Sequence, residues 1–205
     1  MSSIAHFAAA LRALPLHSFV DELPALVREH ARLGDARVRL VDYPGTHLAE
    51  LGTDDAVPIT GSLPGAAYRE RQPVVEADHT VHLPLLTRGE CHGVLTGRLD
   101  HDPDQARLRA LGEVADALAD ALRVAEIGTD QLSRARRGKR LTVAAEMQWE
   151  LLPGRGLACA EFTMAGQLEP AHAVRGDNFD WSLDPGQLTL AVTNGMGEGL
   201  DAAPC

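Results

Sequence analysis

The chain has 205 residues, 45% of them hydrophobic, and carries 29 acidic against 19 Lys and Arg side chains for a formal net charge of -10. That length holds one large or two small domains and enough apolar residues for a buried core. The acidic balance excludes a protein built mainly to coat nucleic acid or an anionic membrane, and three scattered cysteines, Cys91, Cys159 and Cys205, exclude a disulfide framework or a CxxC zinc site.

The opening residues, Met1-Ser2-Ser3-Ile4-Ala5-His6, have no basic region leading into a long apolar run. No later segment approaches 18 uninterrupted apolar residues, so the expectation is a soluble, cytoplasmic protein with no membrane contact. From Ile4 to about Leu33 apolar residues recur at helical spacing through Phe7, Leu11, Leu14, Phe19, Leu23, Leu26 and Val27. Pro15 and Pro24 break or start helices, which predicts two short helices here.

The period changes at Ala36. Val38, Leu40 and Tyr43 alternate with Arg37, Arg39 and Asp42, the pattern of a half-buried strand, and Pro44-Gly45 supplies a turn to a second strand through Leu48 and Leu51. A short helix follows within Gly61–Val75. Two further strands, Thr80–Leu86 and Cys91–Leu99, are joined by a turn at Arg88-Gly89, and Pro84 predicts an edge or a bulge within the first of them.

This order of helix, two strands, short helix, two strands and a long helix resembles a GAF-type sensory domain. The matching pieces are Gly61–Val75 and the pairing of Leu83-Pro84-Leu85 with Gly93-Val94-Leu95. The resemblance implies an antiparallel sheet with flanking helices, enclosing a small-molecule pocket or making a dimer face. It leaves the identity of the ligand open.

The long helix is expected to begin near Asp102-Pro103-Asp104, with an Asp as N-cap and Pro103 in the first turn. Leu108, Leu111, Ala115, Leu118 and Leu122 then repeat at steps of three and four. Such a stripe either packs on its own sheet or pairs with a second copy of the chain, and its run over more than two heptads favours a homodimer. Beyond Ile127-Gly128 a basic cluster of Arg134, Arg136, Arg137, Lys139 and Arg140 reads as a solvated linker face in preference to a nucleic-acid contact. Helical spacing resumes through Leu141, Ala144, Ala145, Met147, Gln148 and Leu151, making a helical linker.

The last stretch reads Gly176-Asp177-Asn178-Phe179-Asp180, a turn at Asp184-Pro185-Gly186, and a returning strand Leu188–Val192 that runs into Thr193-Asn194-Gly195-Met196-Gly197-Glu198-Gly199. The composition predicts a β-hairpin that sets Asp177 and Asp180 near Asn194-Gly195. Together with Gln148–Pro153 upstream, these motifs resemble the PPM-type metal-dependent serine/threonine phosphatases in their SpoIIE branch, over about Met147 to Ala203. That resemblance implies catalytic roles for Asp177 and Asp180 and metal ligation by Asp177, Asn194 and the Gly195 carbonyl, with Mn²⁺ or Mg²⁺ as cofactor. Asn194 stands where the family has an aspartate, which removes one anionic ligand.

The sequence is thus read as an α+β chain in three parts. These are a GAF-like sensory domain at 1–125, a helical linker at 126–152 and the opening strands of a PPM-type β-sandwich at 153–205. The expected function is a sensor-regulated protein phosphatase acting on a phosphorylated regulatory protein, such as an anti-sigma-factor antagonist. The alternative is a non-catalytic GAF-type sensor or scaffold with a degenerate phosphatase remnant.

Overall fold

A computed structural model describes residues 4–137, 143–168 and 175–198. The basic residues Lys139 and Arg140, the linker position Leu141, and Gly199 with everything after it lie outside the described residues. The chain divides into two compact units, Met1–Thr87 with Cys91–Gly138, and Arg88–Glu90 with Lys139–Cys205.

In the first unit α1 (Ile4–Ala13) and α2 (Phe19–Ala31) precede β1 (Gly34–Val41), β2 (His47–Glu50) and β3 (Ala56–Pro58). A short helix α3 (Leu63–Glu70), a two-residue strand β4 (Val74–Val75), the long strands β5 (Thr80–Thr87) and β6 (Glu90–Arg98), and the helices α4 (Gln105–Glu126) and α5 (Gln131–Arg136) complete it. The strands form one sheet in the order β3-β2-β1-β6-β5-β4.

Two helices form before the sheet, as the periodicity predicts, but Pro24 lies inside α2 and does not interrupt it. A proline in a helix interior costs about 3 kcal/mol. Here α2 buries Phe19, Val20, Leu23, Val27 and Ala31, and each large apolar side chain removed from water returns roughly 1.5–3 kcal/mol. Pro84 is also accounted for: β4 pairs with β5 only at Val81 and His82, so at Pro84 the strand needs no N–H for that neighbour.

Alternation along the strands separates two faces. Val38 and Leu40 of β1, Val81, Leu83 and Leu85 of β5, and Leu95 of β6 pack in one cluster with Phe7, Leu11, Phe19, Leu23, Leu111 and Leu118 from the three longer helices. The opposite face carries a smaller cluster of Val41, Leu48, Ile59, Ala67 and Val94 beside α3. Ser62 caps α3 by accepting the Gly65 N–H at 3.0 Å, and Asp104 caps α4 by accepting the Arg107 N–H at 2.7 Å. Gly65 has to be glycine, since a Cβ there would stand 1.9 Å from the Ile59 carbonyl oxygen.

The expected dimer stripe is corrected by this packing. Leu111, Ala115, Leu118 and Leu122 are buried at 0–3% exposure inside their own domain's core, so the stripe in that register is already covered by the sheet. Leu108, half-buried, stands at its outer end.

The second unit holds α6 (Val143–Leu151), a hairpin of β7 (Gly156–Ala158) and β8 (Thr163–Ala165), and a longer hairpin of β9 (Arg175–Asp184) and β10 (Gln187–Glu198). Pro185-Gly186 makes the tight turn, with Gly186 at φ +73°, where glycine is favoured. The buried Gln148 of α6 donates from Nε2 to the Asp177 carbonyl at 2.7 Å, and Trp181 Nε1 donates to the Gly154 carbonyl at 3.2 Å. The Arg155 guanidinium lies 4.8 Å from the centroid of the Trp149 ring.

Candidate functional site

On the α3 side of the sheet in the first unit, a cavity of about 320 Å³ opens beside the smaller apolar cluster. Its floor is set by strand parity. Arg39 of β1, Thr96 of β6 and His82 of β5 are the polar-phase residues of three adjacent strands, and all three are buried. A buried polar side chain must find partners or cost folding energy, and these three find one another.

The floor is one continuous line of hydrogen bonds. Arg39 Nη2 donates to Glu50 Oε2 at 2.6 Å, and Nη1 donates to Thr96 Oγ1 at 3.2 Å. Thr96 Oγ1 lies 2.9 Å from His82 Nδ1, and His82 Nε2 lies 2.7 Å from Glu76 Oε1. Arginine can only donate and a carboxylate only accept. With His82 neutral, the Thr96 hydroxyl therefore accepts from Arg39 and donates its O–H to His82 Nδ1, while His82 Nε2–H donates to Glu76. This assignment follows from the partners on either side.

Arg39 and Glu50 form a buried ion pair, with side chains 7% and 13% exposed. Removing one member of such a pair strands the other charge at a cost of roughly 3–5 kcal/mol. Arg39 Nε is buried and has no acceptor among the described residues, which costs roughly 1–3 kcal/mol where it stands. The larger apolar cluster lies on the other face of the sheet, and only the smaller one shares this face with the polar line.

Around the floor, Asp35, Arg37, Asp78 and Arg98 form an exposed, mixed-charge rim. The Thr80 backbone N–H and side-chain hydroxyl, with Arg98 adding a smaller attraction, hold the Asp78 carboxyl below its ordinary range. Asp35 sits at φ +48°, where the register between β1 and β6 shifts. Asp and Asn tolerate that left-handed region better than most side chains.

The histidines that a paired β5–β6 brings into one neighbourhood go separate ways. His82 belongs to the floor, whereas His79 Nδ1 lies 2.8 Å from Asp102 ahead of α4. His92 lies outside the cavity lining, and burial, then Arg123 and Arg136, lower its pKa to about 3. Cys91, the second residue of β6, donates from Sγ to the Gly93 carbonyl at 3.3 Å and has no place in the cavity wall.

The second unit brings some of the other expected site residues together and keeps one apart. Asp177 and Asn194 are directly opposite each other across the hairpin, and Gly176 is opposite Gly195. Asp180 pairs with Ala191, and being three residues from Asp177 it projects to the other face of the ribbon. Its Oδ1 accepts the Trp181 N–H at 2.7 Å. Gly195 has a packing reason of its own, since a Cβ there would lie 2.7 Å from the Gly176 carbonyl oxygen.

Mn²⁺ and Mg²⁺ take hard oxygen ligands, carboxylates above all. Asp177 supplies one, Asn194 a neutral amide, and among the described residues no group of three His, Cys, Asp or Glu is placed to hold a metal ion. Among the described residues these donors do not make up a two-metal centre.

Sequence reasoning did not single out Arg39, Glu50, Glu76 or Thr96. The available signal was that Arg39, His82 and Thr96 occupy one phase of strands whose polar face also has to seat α3.

Compared by sequence, the chain matches no protein-family model and no curated protein. Compared by structure, it is similar to the GAF domain of an Acinetobacter phosphoenolpyruvate-protein phosphotransferase, at 15% identity and a TM-score of 0.52 over 62% of this chain and 98% of that one. The GAF domain of the Coxiella burnetii phosphoenolpyruvate-protein phosphotransferase matches at 14% identity and a TM-score of 0.53, covering 61% and 93%. The free methionine-R-sulfoxide reductase of Neisseria meningitidis, solved in complex with its substrate, matches at 18% and 0.50, covering 62% and 89%. At these identities the likeness shows the fold: a GAF-like α+β domain with a curled antiparallel sheet and flanking helices. Among the described residues no helix is long and apolar enough to cross a membrane.

Proposed function

We propose that this chain is a non-catalytic sensor, whose GAF-like domain takes up a small polar molecule in the cavity over Arg39, Thr96 and His82. One observation carries the reading. Five side chains form an unbroken hydrogen-bonded line across the sheet, and four of them, Arg39, Thr96, His82 and Glu76, line a cavity on the face that carries the smaller apolar cluster. Pockets that bind small molecules are pre-formed concavities with a few convergent polar groups, and the floor and rim supply them. The substrate complex of the similar Neisseria reductase supports this use of the fold.

Occupancy of the cavity would be reported as a shift in conformational population, in proportion to how differently the ligand binds the two states. The downstream partner in this reading is another protein of a cytoplasmic signalling route. The phosphatase reading of the second unit is less well supported, because its donor set is short of carboxylates.

The test is a thermal-shift screen of the full chain against a library of polar metabolites, followed by calorimetry on any compound that raises the melting temperature. The expected result is saturable one-to-one binding that weakens at least tenfold in Arg37→Gln, an exposed rim change that leaves the fold intact. A library without a single binder, or a binder indifferent to both Arg37→Gln and His82→Gln, would overturn the reading.

A further inference from the structure

The charges around the cavity are not equivalent, and their distribution points to a class of ligand. On the β1–β6 side, Arg37 is exposed and has no hydrogen bond or ion pair among the described residues. Its Cα partner across the sheet is Thr96, so its stem rises beside the floor. Arg98 lies two residues along β6 on the same face, also lining the cavity. Cross-strand diagonal neighbours on one face are about 7–8 Å apart, within reach of long side chains. Two guanidinium groups with spare donors at one end of a cavity match a carboxylate, which accepts planar paired hydrogen bonds.

Asp35 and Asp78 share this rim, and Asp78 already attracts Arg98, so among the described residues Arg37 is the cation left without a partner there. Toward β5 the polar group of the floor is an acid. Glu76 terminates the floor with Oε1 taken by His82 Nε2 at 2.7 Å, while its side chain remains 34% exposed and Oε2 has no hydrogen bond among the described residues. A half-buried carboxylate with one free oxygen matches an ammonium donor. Arg39, a cation, cannot meet an ammonium, and its buried guanidinium already turns one N–H of each terminal nitrogen to Glu50 and Thr96. A cavity of about 320 Å³ lies at the small end of ligand pockets.

We propose that the cavity binds a small zwitterion carrying a carboxylate and a primary ammonium, a free amino acid in the broad sense, with its carboxylate on Arg37 and Arg98 and its ammonium on Glu76. This rests on the sensor reading above and specifies what is sensed. A singly charged molecule satisfies one pole and leaves the other facing an empty end of the cavity. Discrimination against it comes from the unpaired pole.

Calorimetry on the full chain tests the assignment. The probes are the twenty free L-amino acids, β-alanine and γ-aminobutyrate, and for each binder its N-acetyl derivative and its methyl ester. The expected result is that at least one zwitterion binds and that removing either charge weakens it tenfold or more. Arg37→Gln should weaken the parent tenfold or more, and Glu76→Gln should do so while leaving the weak binding of the N-acetyl derivative unchanged. If the N-acetyl derivative or the ester binds as well as its parent, the zwitterion is wrong. If all these zwitterions are silent while an uncharged or singly charged metabolite binds in an Arg37-dependent way, the ligand class is refuted and the sensor survives. If nothing in either collection binds, both readings fall.

Discussion

Thr96 Oγ1 lies 2.9 Å from His82 Nδ1 and 3.2 Å from Arg39 Nη1, so a single hydroxyl joins the guanidinium to the imidazole. The Glu76 carboxylate can only accept, which places a proton on His82 Nε2, and with the ring neutral Nδ1 then takes the Thr96 O–H. One threonine hydroxyl thus connects the two halves of the cavity floor.

Thr96→Val keeps the shape of that side chain and removes the link. It leaves an Arg39 N–H and the His82 Nδ1 lone pair buried without their shared partner. The expected loss is about 2–3 kcal/mol of unfolding free energy, read by urea denaturation, with Thr96→Ser retaining most of the stability. Imidazole ¹⁵N shifts should show the Nε2–H form in the wild type and a mixture in the valine variant. A valine variant of unchanged stability and unchanged tautomer would show that the floor is not coupled.

Leu118 offers a separate check on the long helix. Its side chain is fully buried in the cluster that joins α4 to the sheet. Leu118→Ala should cost 2–5 kcal/mol, in the range for a leucine cavity in a packed core, without altering the molecular mass of the folded fraction in light scattering. A stable variant that changes oligomeric state would return this stripe to an interface between copies.

The same leucine shows where sequence reading stops. A three-and-four repeat specifies one apolar face of a helix, and an apolar face is indifferent to whether a sheet or a second helix covers it. Local signals fared better. An aspartate of the Asp102-Pro103-Asp104 run caps α4, though it is Asp104 and Pro103 stands before the helix, and Pro185-Gly186 turns the β9–β10 hairpin, because both depend on residues a few positions apart. The cavity floor needed more than that. Alternation places Arg39, Thr96 and His82 on one face, yet only the chain crossings that bring β1, β6 and β5 side by side make them partners. The parity of Asp177 and Asp180 was legible throughout, since residues three apart on a strand face opposite ways.

That parity yields a prediction for the second unit. With Asp177 and the Asn194 amide on one face and Asp180 on the other, Mn²⁺ should bind no more tightly than about millimolar. Hydrolysis of p-nitrophenyl phosphate by the full chain with Mn²⁺ should not exceed that of Asp177→Ala. Metal-dependent turnover abolished in the alanine variant would reinstate the phosphatase reading for this hairpin.

The last prediction concerns His92, away from the cavity. Burial, reinforced by Arg123 and Arg136, lowers its pKa from 6.5 to about 3, so the folded chain keeps the ring neutral where the unfolded chain protonates it. Both arginines also engage Glu126, at 2.6 Å each, and Arg136 Nε donates to the Val41 carbonyl, so the cations are fixed in place. Between pH 6.5 and 3 the unfolded state binds the extra proton, and stability rises with pH across that window. The contribution is complete above pH 6.5 and is lost as pH falls toward 3, at roughly 1.4 kcal/mol per unit. His92→Gln removes the titrating group. Between pH 7 and pH 5 the wild type should lose roughly 2 kcal/mol more unfolding free energy than the variant, and parallel stability curves for the two proteins would show that His92 is protonated without penalty in the folded chain.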